Sequence, residues 1–239
     1  MKGEGTKMIP GNLFWSRYVC SVIAIFLFAG CSSVDHSARF KMLQQAASRG
    51  DVSAQFELAA AYDRGFGVPR DMAEAAKWYR KAAEQGHSES QNSLGSLYQS
   101  GEGVPKDNAE AVMWYRKAAD QGLPIAKNNL AYMYDLGLGV PKDNQLAAKL
   151  YGEAAELGEV RAMLNLGVLY VQGQGVEKNH VEAYKWLDLA RFYSQRSEDM
   201  QLKWRSRGAL DELTKMMTPS QIEEGKKRSQ DWDKAHRSK

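Results

Sequence analysis

Cysteine is nearly absent from this chain. Of 239 residues only Cys20 and Cys31 are cysteines. Both precede the polar body, which excludes a disulfide framework and a thiolate metal site there. Histidine is almost as scarce. His36, His87, His180 and His236 are scattered, and none is followed three or four residues later by a second ligand, so the His-x-x-x-His type of helical metal pair is missing. An excess of one charge is missing too. Lys and Arg number 32 against 29 Asp and Glu, and part of the surplus is Lys2, Lys7 and Arg17, with only Glu4 among the first 30 residues. The remainder is close to neutral and offers no clustered basic face for nucleic acid. The short run Lys226-Lys227-Arg228, flanked by Glu223 and Glu224, reads as a solvated helix face. No Gly-x-Ser-x-Gly nucleophile elbow occurs. The Gly-x-Gly-Val-Pro stretches lack the preceding strand and the Lys-Ser/Thr of a phosphate loop. Neither an enzyme nor a bound cofactor or metal is expected.

A long hydrophobic run is also missing. The most apolar segment, Val19 to Gly30, has 12 residues and follows Lys7 and Arg17. A spanning helix needs about 20, whereas a secretory signal has an apolar stretch of this length. The segment ends Leu27-Phe28-Ala29-Gly30-Cys31, and polarity returns at once with Ser32 and Ser33. Ala29-Gly30-Cys31 resembles the bacterial lipobox, with Phe28 where an aliphatic residue is usual. That resemblance implies a lipoprotein signal peptide over 1–30, a lipid on Cys31, and a membrane anchor. Ser32 after the cysteine resembles lipoproteins forwarded to the outer membrane, facing the periplasm. Translation starts at Met1 or at Met8.

What the chain has in abundance is repetition. Gly50, Gly86, Gly122 and Gly158 lie 36 residues apart. Gly65-Phe-Gly-Val-Pro-Arg-Asp71 returns as Gly101–Asp107, as Gly137–Asp143 and, degraded, as Gly173–Asn179. A fixed period of this size means a stacked array rather than one globular core. Each period holds two helical patterns. In the first, Ala54, Leu58, Ala61 and Tyr62 share one face; the glycines then end the helix. The second opens at Asp71 as N-cap, with Glu74 completing a capping box. Asp107/Glu110 and Asn179/Glu182 repeat the device, and Asp143 with Leu146 keeps only the cap. Ala75, Trp78, Tyr79, Ala82 and Ala83 form the apolar stripe of the second helix. Trp78, Trp114 and Trp186 therefore read as core, with Leu150 in the third slot. The predicted repeats span 50–85, 86–121, 122–157 and 158–193, after a half-repeat over 35–49 in which Met42 and Leu43 align with Trp78 and Tyr79. The solenoid as a whole covers 31–193. Residues 194–239 read as capping helices, the last starting at Thr218-Pro-Ser-Gln221.

The pattern Ala54…Leu58…Tyr62…Gly65-x-Gly-Val-Pro-x-Asp71…Ala75…Trp78-Tyr79…Ala82-Ala83…Gly86 resembles the Sel-1-like repeat, a branch of the tetratricopeptide-type solenoids, over about residues 39–193. The resemblance implies an all-α fold, a right-handed superhelix of antiparallel helix pairs, used as a scaffold for protein contacts. Some relatives carry a disulfide in each repeat and are linked to β-lactam binding; with no such cysteines here, that activity is not carried over. In tetratricopeptide-type stacks the first helix of each pair lines the concave face. Set on that geometry, the candidate partner surface is Ser53, Phe56, Ala60 and Asp63, then Glu89, Asn92, Ser96 and Gln99. It continues with Ile125, Asn128, Tyr132 and Asp135, then Arg161, Leu164, Val168 and Val171. Asn92 and Asn128, one period apart, would clamp an extended peptide or remain solvated. Leu164, Val168 and Val171 either extend the groove or pack against the C-terminal helices. The expected function is a non-catalytic, monomeric, lipid-anchored adaptor for an envelope protein. A groove for peptidoglycan or its peptides is the alternative, and a hydrolase or its regulator a remoter one.

Overall fold

The computed structural model describes residues 36–237, and the expected signal peptide and the expected lipid site at Cys31 lie outside them. Eleven helices and no strand occur among the described residues. After α1 (His36–Ser48) come four pairs: α2 (Val52–Arg64) with α3 (Met72–Glu84), and α4 (Ser88–Ser100) with α5 (Asn108–Asp120). The third and fourth are α6 (Pro124–Leu136) with α7 (Asn144–Glu156), and α8 (Val160–Gln172) with α9 (His180–Ser194). Then follow α10 (Met200–Thr214) and α11 (Pro219–Arg237). From α2 to α10 the helices pack on their sequence neighbours, α10 also touches α8, and α11 folds back on α9. This is an α/α solenoid of four tandem repeats with capping helices.

Small residues set the close spacing of the stack. Two alanines, about one and three turns into every second helix (Ala75 and Ala82, Ala111 and Ala118, Ala147 and Ala154, Ala183 and Ala190), are all 0% exposed. Trp78, Trp114 and Trp186 are buried as expected, and the Lys81 and Lys117 ammonium groups sit 3.9 and 4.1 Å from the first two rings. Leu150 fills the third slot half-buried and joins the two halves of the core.

The loops stack as well as the helices. Asp71, Asp107 and Asn179 each cap two backbone N–H groups of the helix they open, and Asp143 caps one. The expected capping box does not close, however. The N–H that a glutamate would take is already given to the preceding helix: Asp71 to the Tyr62 carbonyl, Asp107 to Tyr98, Asp143 to Tyr134 and Asn179 to Tyr170. Glu74 instead accepts from Lys77, and Glu110 from the Trp114 indole. The second glycine of each later loop then lies on the backbone of the repeat before it. A Cβ on Gly103 would fall 2.1 Å from the Met72 carbonyl, and one on Gly139 2.4 Å from that of Asn108.

The ends differ from each other. Met42, aligned with Trp78, is 70% exposed rather than buried, because no first helix precedes α1 among the described residues to cover it. At the other end Thr218 and Gln221 do form a reciprocal box: the Thr218 N–H donates to Gln221 Oε1 (2.9 Å) and the Gln221 N–H to Thr218 Oγ1 (3.3 Å). Trp232 of α11 is buried edge-on against Trp186, and its indole N–H donates to Glu156 at 2.7 Å.

Candidate partner-binding surface

The first-helix row that reads as a binding face is largely used within the stack. Phe56 is half-buried, its ring 5.9 Å from Tyr79 and 4.7 Å from His87. The phenol of the second helix reaches back to the same row: Tyr79 donates to Asp63 (3.3 Å) and Tyr115 to Gln99 (2.7 Å). Burial pushes both phenols up to about 12, with the Asp63 carboxylate adding to the effect at Tyr79. Tyr151 is raised further by burial and then by Asp135 beside it.

Asn92 and Asn128 are not free to clamp a peptide. Asn128 is 5% exposed; it accepts from Asn165 (3.1 Å) and donates to Asn129 (3.3 Å), whose own amide reaches Asn92 at 2.9 Å. The asparagines bond from one first helix to the next. A similar ladder of glutamines was not anticipated. Gln55 and Gln91, both buried, donate to the Ala47 and Ala83 carbonyls at the end of the preceding second helix. They accept in turn from Gln85 and Gln121, each at 2.7 Å.

In the fourth repeat the row is covered. Leu164 is 2% exposed and Val168 and Val171 are half-buried, in one cluster with Leu202 and Leu210 of α10. Arg161 bridges to Asp199 at 2.9 Å. The Leu202 N–H and then the Arg161 guanidinium hold the Asp199 carboxyl below the usual carboxylate range. Of the two readings of this end, packing against the C-terminal helices is the one observed.

What stays accessible is narrower. Ser53, Glu89 and Ser96 are exposed and Ile125 is half-buried. Tyr132 is 40% exposed, and Leu136, one turn on, 50%. Two large residues escaped the sequence reading: Met200 (70% exposed) and Trp204 (78%), four apart on α10. They stand off the buried register Leu202, Ser206, Leu210 and Leu213. Among the described residues no cluster of three or more His, Cys, Asp or Glu is placed to hold a metal, and no helix is long and apolar enough to cross a membrane.

The Sel1 repeat model matches four times in tandem, over residues 52–87, 88–123, 124–159 and 160–191. The chain belongs to the Sel1 repeat family. Sel1-repeat proteins are protein-interaction scaffolds, typically without catalysis. Among solved structures, a protective antigen of uropathogenic Escherichia coli with the same repeat fold is 33% identical with a TM-score of 0.74, covering 81% of this chain and 40% of its own. A Sel1 repeat protein of Oxalobacter formigenes is also 33% identical, with a TM-score of 0.61 and coverage of 77% and 80%. The chain thus spans 40% of the length of the first and 80% of the second. No curated protein matches the chain.

Proposed function

We propose that this Sel1 repeat chain is a non-catalytic docking scaffold held by a lipid on Cys31 at the bacterial outer membrane, facing the periplasm. The observation that carries the docking reading is the split between packing residues that change little from repeat to repeat and an accessible first-helix patch around Tyr132 and Leu136, whose counterparts differ in every repeat. A part-exposed tyrosine is the kind of anchor that protein partners bury, and Leu136 on the next turn adds apolar area beside it. The anchor rests on the short apolar run ending at Ala29-Gly30-Cys31. The 33% identical E. coli relative is a protective antigen, which is in keeping with an envelope site. The protein is taken to be a monomer whose partner is another envelope protein.

A photo-crosslinker placed at Tyr132 in cells, followed by mass spectrometry, tests the docking reading. One or a few defined protein adducts, lost when Leu136 is changed to Asp, support it. Recovery only with purified sacculi would turn the assignment to the cell wall. For the anchor, Cys31→Ser should abolish fatty-acid labelling and release the protein from the membrane fraction. Unchanged labelling would remove Cys31 from the proposal without touching the docking face.

A further inference from the structure

Tyr79, Tyr115 and Tyr151 stand 36 residues apart in the second helices. The first two close a bond to their own first helix, Tyr79 to Asp63 and Tyr115 to Gln99. The third repeat keeps the residue pair of the first, with Tyr151 and Asp135 in the places of Tyr79 and Asp63. Among the described residues, however, the Tyr151 hydroxyl has no hydrogen-bond partner, although the side chain is only 1% exposed. A buried hydroxyl left unbonded is costly, so this one calls for an explanation.

Three other polar groups face it. Beyond burial, Asp135 and then Tyr132 push the Tyr151 phenol up, while Arg205 of α10 acts against them. Asp135 is half-buried, and Tyr132 and Arg205 are exposed. None of the three has a hydrogen bond or an ion pair among the described residues. The neighbouring groups of this face are spent within the stack: Asn128 on Asn165, Arg161 on Asp199 and Lys127 on Glu153. Unpaired groups from α6, α7 and α10 thus converge beside the Tyr132 patch, in a molecule that closes its other side-chain ladders.

Their signs select the ligand. An anion would meet the Asp135 carboxylate, and a cation would meet the Arg205 guanidinium. A neutral group carrying an acceptor and a donor side by side meets neither objection, and an amide is such a group. We propose that Tyr151, Asp135 and Arg205 bind an amide of a protein partner, from its main chain or from an Asn or Gln side chain. Its C=O accepts from the Tyr151 hydroxyl and the Arg205 guanidinium, and its N–H donates to Asp135. The inference rests on the docking reading of the Tyr132 patch and names what is recognised beside it.

Two measurements test it. In denaturant titration Tyr151→Phe should leave the midpoint unchanged, whereas Tyr115→Phe, which loses its bond to Gln99, should lower it. Equal losses would mean that the Tyr151 hydroxyl is used inside the fold, and would overturn the site. For binding, a photo-crosslinker at position 136 keeps all four groups in place. The partner segment it captures, mapped by mass spectrometry, is made as a peptide and titrated against the full-length protein in detergent. Tyr151→Phe and Arg205→Met should each weaken the peptide by roughly two- to tenfold. The double variant should lose less than the product of the two, since both groups reach one carbonyl. Alanine in place of the peptide's Asn and Gln residues separates the sources: binding kept assigns the main chain, binding lost the side chain. A peptide that ignores both substitutions, as it would if only solvent met these groups, overturns the amide site and leaves the docking reading standing. If neither position 132 nor position 136 gives a defined protein adduct, the docking reading fails and takes this one with it.

Discussion

At the scale of single residues, the period conceals unequal demands on identical letters. Gly67 and Gly139 are the same loop position, with φ of +74° and +71°. A Cβ at Gly67 meets nothing within 4 Å, while one at Gly139 would lie 2.4 Å from the Asn108 carbonyl. Gly67→Ala should therefore cost only the left-handed strain, about 1–2 kcal/mol. Gly139→Ala must also push two repeats apart and should cost clearly more in a denaturant titration. Equal losses would mean the loop contact carries no stability. The buried phenols make a second residue-level prediction. Tyr79 and Tyr115 titrate near 10 in the unfolded chain and about 12 in the fold. Between these values the unfolded chain loses protons that the fold keeps, so their contribution is complete below pH 10 and is lost as pH rises toward 12. It amounts to at most roughly 2–3 kcal/mol for each. Melting temperature should fall over that window, with late phenolate absorbance appearing only as the helices melt. Smooth titration of every phenol near 10 without unfolding would contradict it.

At the scale of elements, the second helices show how far a local motif reaches and where it stops. Asp143 caps α7 through the Leu146 N–H at 2.9 Å, so Asp143→Ala should cost about 0.5–2 kcal/mol. Leu146→Glu would write the capping-box sequence into the third repeat. It should not add box-like stability, because the Asp143 N–H already donates to Tyr134 at 3.0 Å. A clear gain in denaturation midpoint, lost again with Asp143→Ala, would show that the box can displace that bond. Helix order, caps, glycine termini and the Trp/Ala stripe were legible because they depend on spacing within one period, and the period is written four times. The glutamine and asparagine ladders were not, since each joins residues about 30 or 37 apart and looks like an ordinary polar position within its own helix. The same blindness affected the candidate surface. Asp63 and Gln99 read as groove residues until the phenols of Tyr79 and Tyr115 are seen to reach them. Leu164 read equally well as groove or as packed, and only α10 laid over it decides between the two.

At the scale of the whole molecule, a stack in which each repeat touches mainly its neighbours has a stability that is a sum of units and interfaces, so its ends matter more than their length suggests. The two ends here are unequal. α1 leaves Met42 70% exposed, whereas α10 and α11 cover Leu164 and Trp186, which are 2% and 3% exposed. Trp232 alone hides an area of the order of 150–250 Å², an upper bound of roughly 4–6 kcal/mol, and it ties α11 to Glu156 of the third repeat as well as to Trp186 of the fourth. The C-terminal pair thus clamps two repeats. Ending the chain after Gln195 should uncover α8 and α9 and remove that clamp in one step, while α3 to α5 keep every neighbour they have. Hydrogen exchange should then report a split molecule. Amides of α8 and α9 should lose most of their protection, those of α3 to α5 should be nearly unchanged, and denaturation should lose its single transition. Trp232→Ala, a milder cut worth about 3–5 kcal/mol, should produce the same gradient with smaller amplitude. If either change lowered protection evenly from α2 to α9, the repeats would be one cooperative unit, and the nearest-neighbour account of this solenoid would be wrong.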